Sequence, residues 1–188
     1  MNGFFDEPKI IGGAGMKGRR HRIQSGTNSS FRAASITVVY SDEWYTPPDL
    51  VFALGEFDLD PCAGPMSHAI ENWRWPEKDG LSAPWHGRVW CNPPYSLNER
   101  FLGKLIAHGE GVALVNARTD THWFQDALSR AHAALWLRGR VPFRRRPSDP
   151  EMRGGIGSSV LIAYGERSAE LLSMSALSGV LTEITKRS

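Results

Sequence analysis

Apolar and polar positions alternate in blocks from residue 36 to residue 177, and the block lengths predict strands and helices in turn. Short apolar runs predict strands, and longer runs with apolar positions three to four residues apart predict helices. Glycine after KLIAH and proline in a first turn support the helix boundaries. The predicted strands are 36–40, 56–60, 87–91, 111–117, two short ones within 134–143, and 158–164. The predicted helices are 47–54, 97–109, 121–131 and 167–177.

This alternation predicts one α/β domain with a largely parallel sheet and helices on both faces. A chain of 188 residues is long enough for one such domain with a proper core. In open sheets of this kind, ligands bind at the carboxyl ends of the strands, where the strand order reverses. The residues that follow each strand are therefore the first place to look for chemistry.

The segment before the domain differs in composition. Residues 1–35 are rich in Gly, Ser, Arg and Asn and have no sustained periodicity, so we expect a flexible basic arm. Residues 36–188 form the predicted domain, with an arginine-rich loop near 138–155. The sequence shows no internal repeat.

Charge is uneven along the chain. The overall net charge is +2, but residues 1–40 and 138–153 each carry +4, which leaves −6 for the remainder. Two basic segments that flank an acidic body suit a polyanionic partner contacted at the edges. A solvated arm and a solvated loop would have the same composition, so charge alone leaves both interpretations open.

No apolar run is long enough to span a bilayer, and the N-terminus lacks the apolar core of a signal peptide. The expected compartment is the cytoplasm, with no membrane partner. Cys62 and Cys91 lie near predicted strand ends without a second pair, so we expect reduced, buried thiols and no metal site.

Two strand ends carry informative corners. The first runs from Asp60 to Gly64 (DPCAG), and the second from Asn92 to Tyr95 (NPPY). Proline fixes its own φ and restricts the preceding residue, so the second corner is stiff and extended. An acidic group and small residues directly after a strand allow backbone to approach a ligand closely.

Five motifs in order carry a resemblance to a known family: EWYTPP, FDLDPCAG, DGL, NPPY and an ARTDT.WF segment. Together they resemble the phage-type DNA N-6-adenine methyltransferase (Dam) family. The resemblance spans residues 42–164. It implies a compact, Rossmann-like methyltransferase fold, S-adenosylmethionine as cofactor, double-stranded DNA as partner, the 6-amino group of adenine as target, and a phage or prophage origin.

The resemblance assigns the catalytic corner to Asn92, Pro93, Pro94 and Tyr95. An adenine amine is a poor nucleophile because its lone pair is delocalised into the ring. The side-chain carbonyl of Asn92 and the main-chain carbonyl of Pro93 would accept its two hydrogens, and the prolines hold both acceptors in place. Tyr95 would stack on the flipped base. A stiff turn with a packing tyrosine is the alternative.

The resemblance also implies a set of cofactor contacts. The DPCAG corner and the segment before the first helix would bind the methionine part of the cofactor, and DGL would bind its adenine. The residues are Asp60, Pro61, Cys62, Ala63, Gly64, Tyr45, Thr46, Asp79 and Leu81. Thr46 as a helix cap and Asp79 as a turn residue remain alternatives. Glu71 is a weak candidate for the ribose hydroxyls.

DNA contacts are expected on two segments. Arg118, Thr119 and Asp120, with Trp123, follow a strand end beside NPPY; a helix cap with a core tryptophan is the alternative. The preferred DNA-contacting loop holds Arg138, Arg140, Arg144, Arg145 and Arg146, because arginine suits phosphates and guanine edges.

Two other functions stay open. A non-enzymatic DNA-binding module would use the basic segments but has no need of DPCAG together with NPPY. A methyltransferase acting on the cytosine amine or on protein glutamine can also use a Pro-Pro-aromatic corner. Asn at the first position and Tyr at the last favour adenine.

Overall fold

The computed structural model describes residues 44–144 and 157–185. Its strands are β1 (Leu59–Asp60), β2 (Glu71–Asn72), β3 (Val89–Cys91), β4 (Gly111–Asn116), β5 (Ala133–Leu137), β6 (Ser159–Tyr164) and β7 (Gly179–Glu183). Its helices are α1 (Pro48–Phe52), α2 (Asn98–His108), α3 (His122–Ser129) and α4 (Glu166–Met174). The predicted arm, the strand at 36–40 and residues 145–155 of the arginine-rich loop lie outside the described residues.

The seven strands form one mixed sheet in the order β2-β1-β3-β4-β6-β5-β7. β1 pairs in parallel with β2 and β3, and β3 pairs in parallel with β4. The pairings of β6 with β4 and β5, and of β7 with β5, are antiparallel. The prediction of a largely parallel sheet is therefore wrong, because β6 returns between β4 and β5 in the opposite direction.

β1 to β5 nevertheless all run the same way, since β5 and β4 are each antiparallel to the strand between them. Their carboxyl ends therefore lie at one edge of the sheet, which we call the carboxyl edge. β2 lies on one side of β1 and β3 on the other, so the strand order reverses between β1 and β3. This is the position at which α/β sheets bind ligands.

Alternating side chains of the central strands supply two cores. Trp90, Leu114 and Leu161 lie in the core that includes residues of α1 and α4. Their strand neighbours, such as Ala113 and Ile162, lie in the core that includes residues of α2 and α3. Successive strand residues point to opposite faces, so the predicted helices on both faces are confirmed. Gly109, in the left-handed region at φ 86°, ends α2.

Several element boundaries differ from the prediction. The run 134–143 forms one strand, β5, and then a single bridge between Arg144 and Tyr45 instead of a second strand. β2 and β7 were not predicted: β2 has two residues, and β7 is mostly exposed, so neither has a strong apolar pattern. Within the described part of the chain, no helix is long and apolar enough to cross a membrane.

Candidate functional site

The corner after β1 is built around a buried carboxylate. Asp60 is 4% exposed; its Oδ1 accepts a hydrogen bond from the Cys62 main-chain N–H at 3.0 Å, and its Oδ2 accepts one from the Ser67 hydroxyl at 2.5 Å. Burial raises the pKa of Asp60 to about 6, although both hydrogen bonds oppose the shift. The anionic form is therefore poorly solvated and would be stabilised by a cation.

The corner after β3 places Asn92 at the same edge. Its side-chain Nδ2 donates to the main-chain oxygen of Trp44 at 2.8 Å and to the hydroxyl oxygen of Thr46 at 3.0 Å. A carbonyl oxygen can only accept, so the atom that faces Trp44 must be the amide nitrogen. Both amide hydrogens are used in this way, and Oδ1 is the atom that Asn92 can offer to a ligand.

The backbone of this corner is extended at Pro94. Pro93 is buried, and Pro94 has ψ 138° before a short 3₁₀ helix, Tyr95–Leu97, which leads into α2. Leu97 N donates to the Pro94 oxygen at 2.8 Å and closes that turn. Tyr95 is half-buried and packs against the core on the α1 side of the sheet.

The segment before α1 lies against both corners. A Cβ on Gly64 would lie 2.5 Å from Cε1 of Tyr45, so only glycine allows this ring to rest on the β1 corner. The main chain of Tyr45 exchanges two hydrogen bonds with Arg144: Tyr45 N to Arg144 O at 2.9 Å, and Arg144 N to Tyr45 O at 3.2 Å. The segment is thus tied to the β1 corner, to Asn92 and to Arg144 of the arginine-rich loop.

Two adjoining clefts open at the carboxyl edge. Residues predicted for the methionine part and for catalysis line the first cleft: Tyr45, Thr46, Asp60, Gly64, Asn92 and Pro94. Residues predicted for the cofactor adenine line the second, with one residue of the first motif: Asp79, Leu81 and Pro61. Cys62 and Pro94 line both clefts. The structure thus brings together predicted residues that are up to 49 positions apart in sequence.

Three predicted residues of these corners line neither cleft: Ala63, Pro93 and Tyr95. Ala63 is buried, and its N–H donates to the Trp73 oxygen at 3.0 Å. Pro93 is also buried, whereas Tyr95 is half-buried. Ala63 and Pro93 therefore support the corners from behind.

The DGL segment forms a tight turn on the β1 corner. Asp79 Oδ1 accepts a hydrogen bond from the Leu81 N–H at 2.9 Å. This bond is typical of a turn, the alternative role that the sequence left open for Asp79. A Cβ on Gly80 would lie 1.8 Å from the Pro61 oxygen, so glycine is required for this close approach. Lys104 of α2 donates to the main-chain oxygens of Gly80 at 3.0 Å and Leu81 at 2.8 Å.

Sequence reasoning missed several residues of the site. Lys104 holds the DGL turn, Ser67 holds Asp60, and Trp75, 61% exposed, lines the second cleft. A tryptophan directly before a proline, in a short segment between two motifs, was a signal that could have found Trp75. Lys104 and Ser67 are common residue types in ordinary surroundings and gave no such signal.

The candidate for the ribose hydroxyls is engaged elsewhere. Glu71 accepts hydrogen bonds from Trp73 and from Lys78, the latter at 3.0 Å, and His86 lies 3.4 Å from it. The hydrogen bond from Trp73, followed by that from Lys78, lowers the pKa of Glu71. It is not among the residues that line either cleft.

The segment after β4 is exposed at the carboxyl edge. Arg118 Nε and Asp120 Oδ1 lie 3.5 Å apart, and both side chains are mostly exposed. The N-cap residue of α3 is Thr121, and its hydroxyl donates to the Arg118 oxygen at 2.8 Å. Thr119 and Asp120 therefore do not occupy the cap position, and Trp123 is half-buried beside the α2–α3 core.

The predicted DNA-contacting arginines are only partly described. Arg138 and Arg140 follow β5 at the carboxyl edge and are exposed. Arg144 bridges Tyr45, whereas Arg145 and Arg146 lie outside the described residues. In residues 44–144 and 157–185, no three His, Cys, Asp or Glu side chains are grouped to hold a metal ion.

Comparison with known proteins gives a family. The model of the family "DNA N-6-adenine-methyltransferase (Dam)" matches residues 34–183. A DNA N-6-adenine-methyltransferase of Haemophilus phage HP1 (strain HP1c1) is 34% identical over 136 residues, which cover 65% of this chain and 78% of that protein. One of Escherichia phage T1 is 31% identical over 106 residues, which cover 51% of this chain and 44% of that protein.

No solved structure matches the chain, so the fold rests on the sheet order and pairing described above. The family match includes both strand-end corners, the DGL turn and the arginines after β5. Because that match extends over well more than half of the sequence, the chain belongs to the DNA N-6-adenine-methyltransferase (Dam) family.

Proposed function

We propose that this protein transfers a methyl group from S-adenosylmethionine to the 6-amino group of adenine in double-stranded DNA. The observation that carries the proposal is the orientation of Asn92. Its two amide hydrogens are bound by Trp44 and Thr46 at the reversal of strand order, so its carbonyl oxygen is the atom available to a reacting amine.

An acceptor at this position suits amine methylation. A hydrogen bond from the adenine amine to Asn92 Oδ1, and a second to the Pro93 main-chain oxygen, would draw the nitrogen toward a nucleophilic, tetrahedral geometry. The stiff Pro-Pro corner keeps both acceptors in a fixed pair, so little reorganisation is needed during the reaction. Alignment of the reactants would supply much of the remaining rate, since proximity contributes roughly 7–11 kcal/mol.

The two clefts fit the proposed cofactor. When bound, S-adenosylmethionine supplies a methyl group activated by its sulfonium. Asp60 is a buried acid whose pKa is raised to about 6 by desolvation, so a cationic amino group beside it would offset the cost of its charge. Tyr45 and the DPCAG corner would bind the methionine part, and the second cleft, with Asp79, Leu81 and Trp75, would bind the adenosine part.

The placement of the arginines favours DNA as the substrate. Arg118, Arg138 and Arg140 are exposed at the carboxyl edge, where the clefts open. Guanidinium groups there can bind phosphates while a base is flipped toward Asn92, and the half-buried Tyr95 ring would stack on that base. Both relatives named above are phage proteins, which supports a phage or prophage origin and action in the host cytoplasm.

The sheet supports a Rossmann-like methyltransferase fold for this role. Its parallel half, β2-β1-β3-β4, contains the reversal and both corners, and its antiparallel half positions Arg138 and Arg140. A DNA-binding module without catalysis would have no use for an oriented amide beside a buried acid, so we do not favour it.

The decisive experiment is methylation of unmethylated double-stranded DNA with radiolabelled S-adenosylmethionine, followed by digestion to nucleosides. The expected product is N6-methyl-2′-deoxyadenosine, and its formation should depend on Asn92. Label in methylated cytosine, or in protein alone, would contradict the proposal. Asn92→Ala serves as the control for a contaminating methyltransferase.

A further inference from the structure

Thr46 and the main chain of Trp44 hold Asn92 in a way that the resemblance does not assign to them. We infer that these two groups form a clamp that orients the reacting amide and makes an amide, not a carboxylate, necessary at position 92. The inference rests on the proposed function, because it takes Asn92 as the residue that contacts the reacting amine. It assigns Thr46 as a positioning residue.

The direction of the bonds supports this assignment. The Trp44 oxygen can only accept, so the atom that faces it at 2.8 Å must carry a hydrogen. Thr46 Oγ1 takes the second hydrogen of the same nitrogen at 3.0 Å. With Nδ2 fixed at two points, rotation of the Asn92 side chain about its last torsion would break both bonds, so Oδ1 keeps one direction.

The clamp is itself fixed. Trp44 and Thr46 are 7% and 8% exposed, and Tyr45 between them is held by two main-chain bonds to Arg144. The Tyr45 ring rests on Gly64, where a larger residue would collide with it. The segment therefore cannot withdraw from Asn92 without the loss of several contacts.

The helix-cap role of Thr46 finds no support in the geometry. The residue at the cap position of α1 is Pro47, and no side-chain hydrogen bond caps this helix. The hydroxyl of Thr46 is used for Asn92 instead. Since Thr46 also lines the first cleft, a contact to the methionine carboxylate is the competing role, and the two roles affect different kinetic constants.

The clamp changes the expectation for Asn92→Asp. Judged by chemistry alone, Asp keeps an acceptor and the side-chain shape, so partial activity is expected. In the clamp, one carboxylate oxygen would face the Trp44 oxygen, and two acceptors repel. The carboxylate would rotate away, so we expect Asn92→Asp to lose about 100- to 1000-fold in kcat, the range typical of a lost oriented contact.

The kinetic test uses Thr46→Val, which keeps the shape and removes the acceptor, and Thr46→Ser, which keeps the hydroxyl. Thr46→Val should lower kcat about tenfold, the scale of one hydrogen bond, with KM for S-adenosylmethionine nearly unchanged. Thr46→Ser should keep most of the activity. Thr182→Val is the matched control: its hydroxyl also accepts from a side-chain N–H, that of Trp136 at 3.2 Å, but on β7.

A second readout does not depend on activity. In ¹⁵N-labelled protein, the Asn92 side-chain NH₂ signal, assigned by its absence in Asn92→Ala, should shift in Thr46→Val and stay in place in Thr182→Val. An unchanged signal would overturn the clamp, as would an increase of KM for the cofactor at unchanged kcat, or near wild-type turnover by Asn92→Asp. If the wild type methylated no adenine, the proposed function would fail, while the NMR result would still decide whether the clamp exists.

Discussion

Arg88 and Asp60 are buried charged residues at opposite edges of the sheet, and they differ in what surrounds their charges. Arg88, just before β3, is 1% exposed; Nε donates to the Ser168 hydroxyl at 2.9 Å, and Nη1 donates to the main-chain oxygens of Leu54 and Glu56, each at 2.9 Å. Asp60, at the end of β1, is 4% exposed but lines the first cleft. Arg88 is held by three protein acceptors, and Asp60 lines a cleft that can hold a ligand.

The comparison shows that burial of a charge does not by itself mark a functional site. Burial lowers the pKa of Arg88 to about 10, so it stays protonated at neutral pH, and its guanidinium lies 4.1 Å from the Phe57 ring. Burial raises the pKa of Asp60 to about 6, which leaves its charge costly until a cation is bound. Arg88 therefore contributes to the fold, and Asp60 is suited to binding.

The largest effect is expected from Arg88→Met. The substitution removes the donors to Leu54, Glu56 and Ser168. The oxygens of Leu54 and Ser168 lie in buried hydrogen bonds, and each buried acceptor left without its donor typically costs about 1–3 kcal/mol. Urea denaturation measures this change in the free energy of unfolding. The exposed Arg167→Ala is the control, with an expected change within about 0.5 kcal/mol. Equal stability of Arg88→Met and wild type would remove the distinction between the two edges.

Asn92→Ala should have the next largest effect, and on rate instead of stability. The loss of one oriented acceptor in the transition state typically costs about 2.7–4 kcal/mol, or roughly 100- to 1000-fold in kcat. Single-turnover methylation of DNA measures the rate, and calorimetric titration with S-adenosylmethionine should show nearly unchanged affinity. Near wild-type methylation by a normally folded Asn92→Ala would mean that the corner is only a turn.

Asp60→Asn should separate stability from binding. The native pKa of about 6 lies above the ordinary value of 3.8, so the folded protein binds the proton more tightly than the unfolded chain. The penalty from Asp60 is therefore absent at low pH, grows as the pH rises from about 4 to 6, and reaches about 3 kcal/mol at neutral pH. An asparagine can keep the hydrogen bonds with Cys62 and Ser67 without this penalty.

We therefore expect Asp60→Asn to raise the free energy of unfolding by up to about 3 kcal/mol at pH 8 and to leave it nearly unchanged at pH 4. In the wild type, S-adenosylmethionine affinity should fall below pH 6, where Asp60 becomes neutral, and the variant should bind weakly at every pH. A variant that bound the cofactor as tightly as the wild type would show that Asp60 does not face its amino group.

Much of the carboxyl edge could be predicted from the sequence, because strand-end corners leave local signals. DPCAG and NPPY follow short apolar runs, and both meet at the reversal of strand order as the α/β pattern implies. The direction of pairing could not be predicted in the same way. β6 is an ordinary buried strand, and nothing in SVLIAY indicates that it runs against β4 and β5.

The remaining features depend on contacts between distant residues. Thr46 was assigned to the cofactor, and its bond to Asn92, 46 positions away, became visible only in three dimensions. Arg88 follows a glycine in GRVW and has no sequence feature that separates it from a surface arginine. Gly80 and Gly64 were seen only as turn and corner residues, whereas each permits a specific close approach.

The smallest effect is expected from substitutions of the arginines at the carboxyl edge. They test whether DNA is bound at the same edge as the proposed cofactor. Arg138→Ala with Arg140→Ala should weaken DNA binding and flatten the slope of log affinity against log salt by up to about 1.8, since each phosphate contact contributes about 0.9. Fluorescence anisotropy with a labelled duplex at several salt concentrations measures the slope.

Arg130→Ala is the matched control: Arg130 is exposed and pairs with Asp126 at 2.9 Å, but it precedes β5 and so lies at the opposite edge. Because both edges carry exposed arginines, net charge alone would give all three substitutions similar effects. An unchanged slope for the double variant, or the same reduction per residue for Arg130→Ala, would mean that DNA is not bound at the edge where the clefts open.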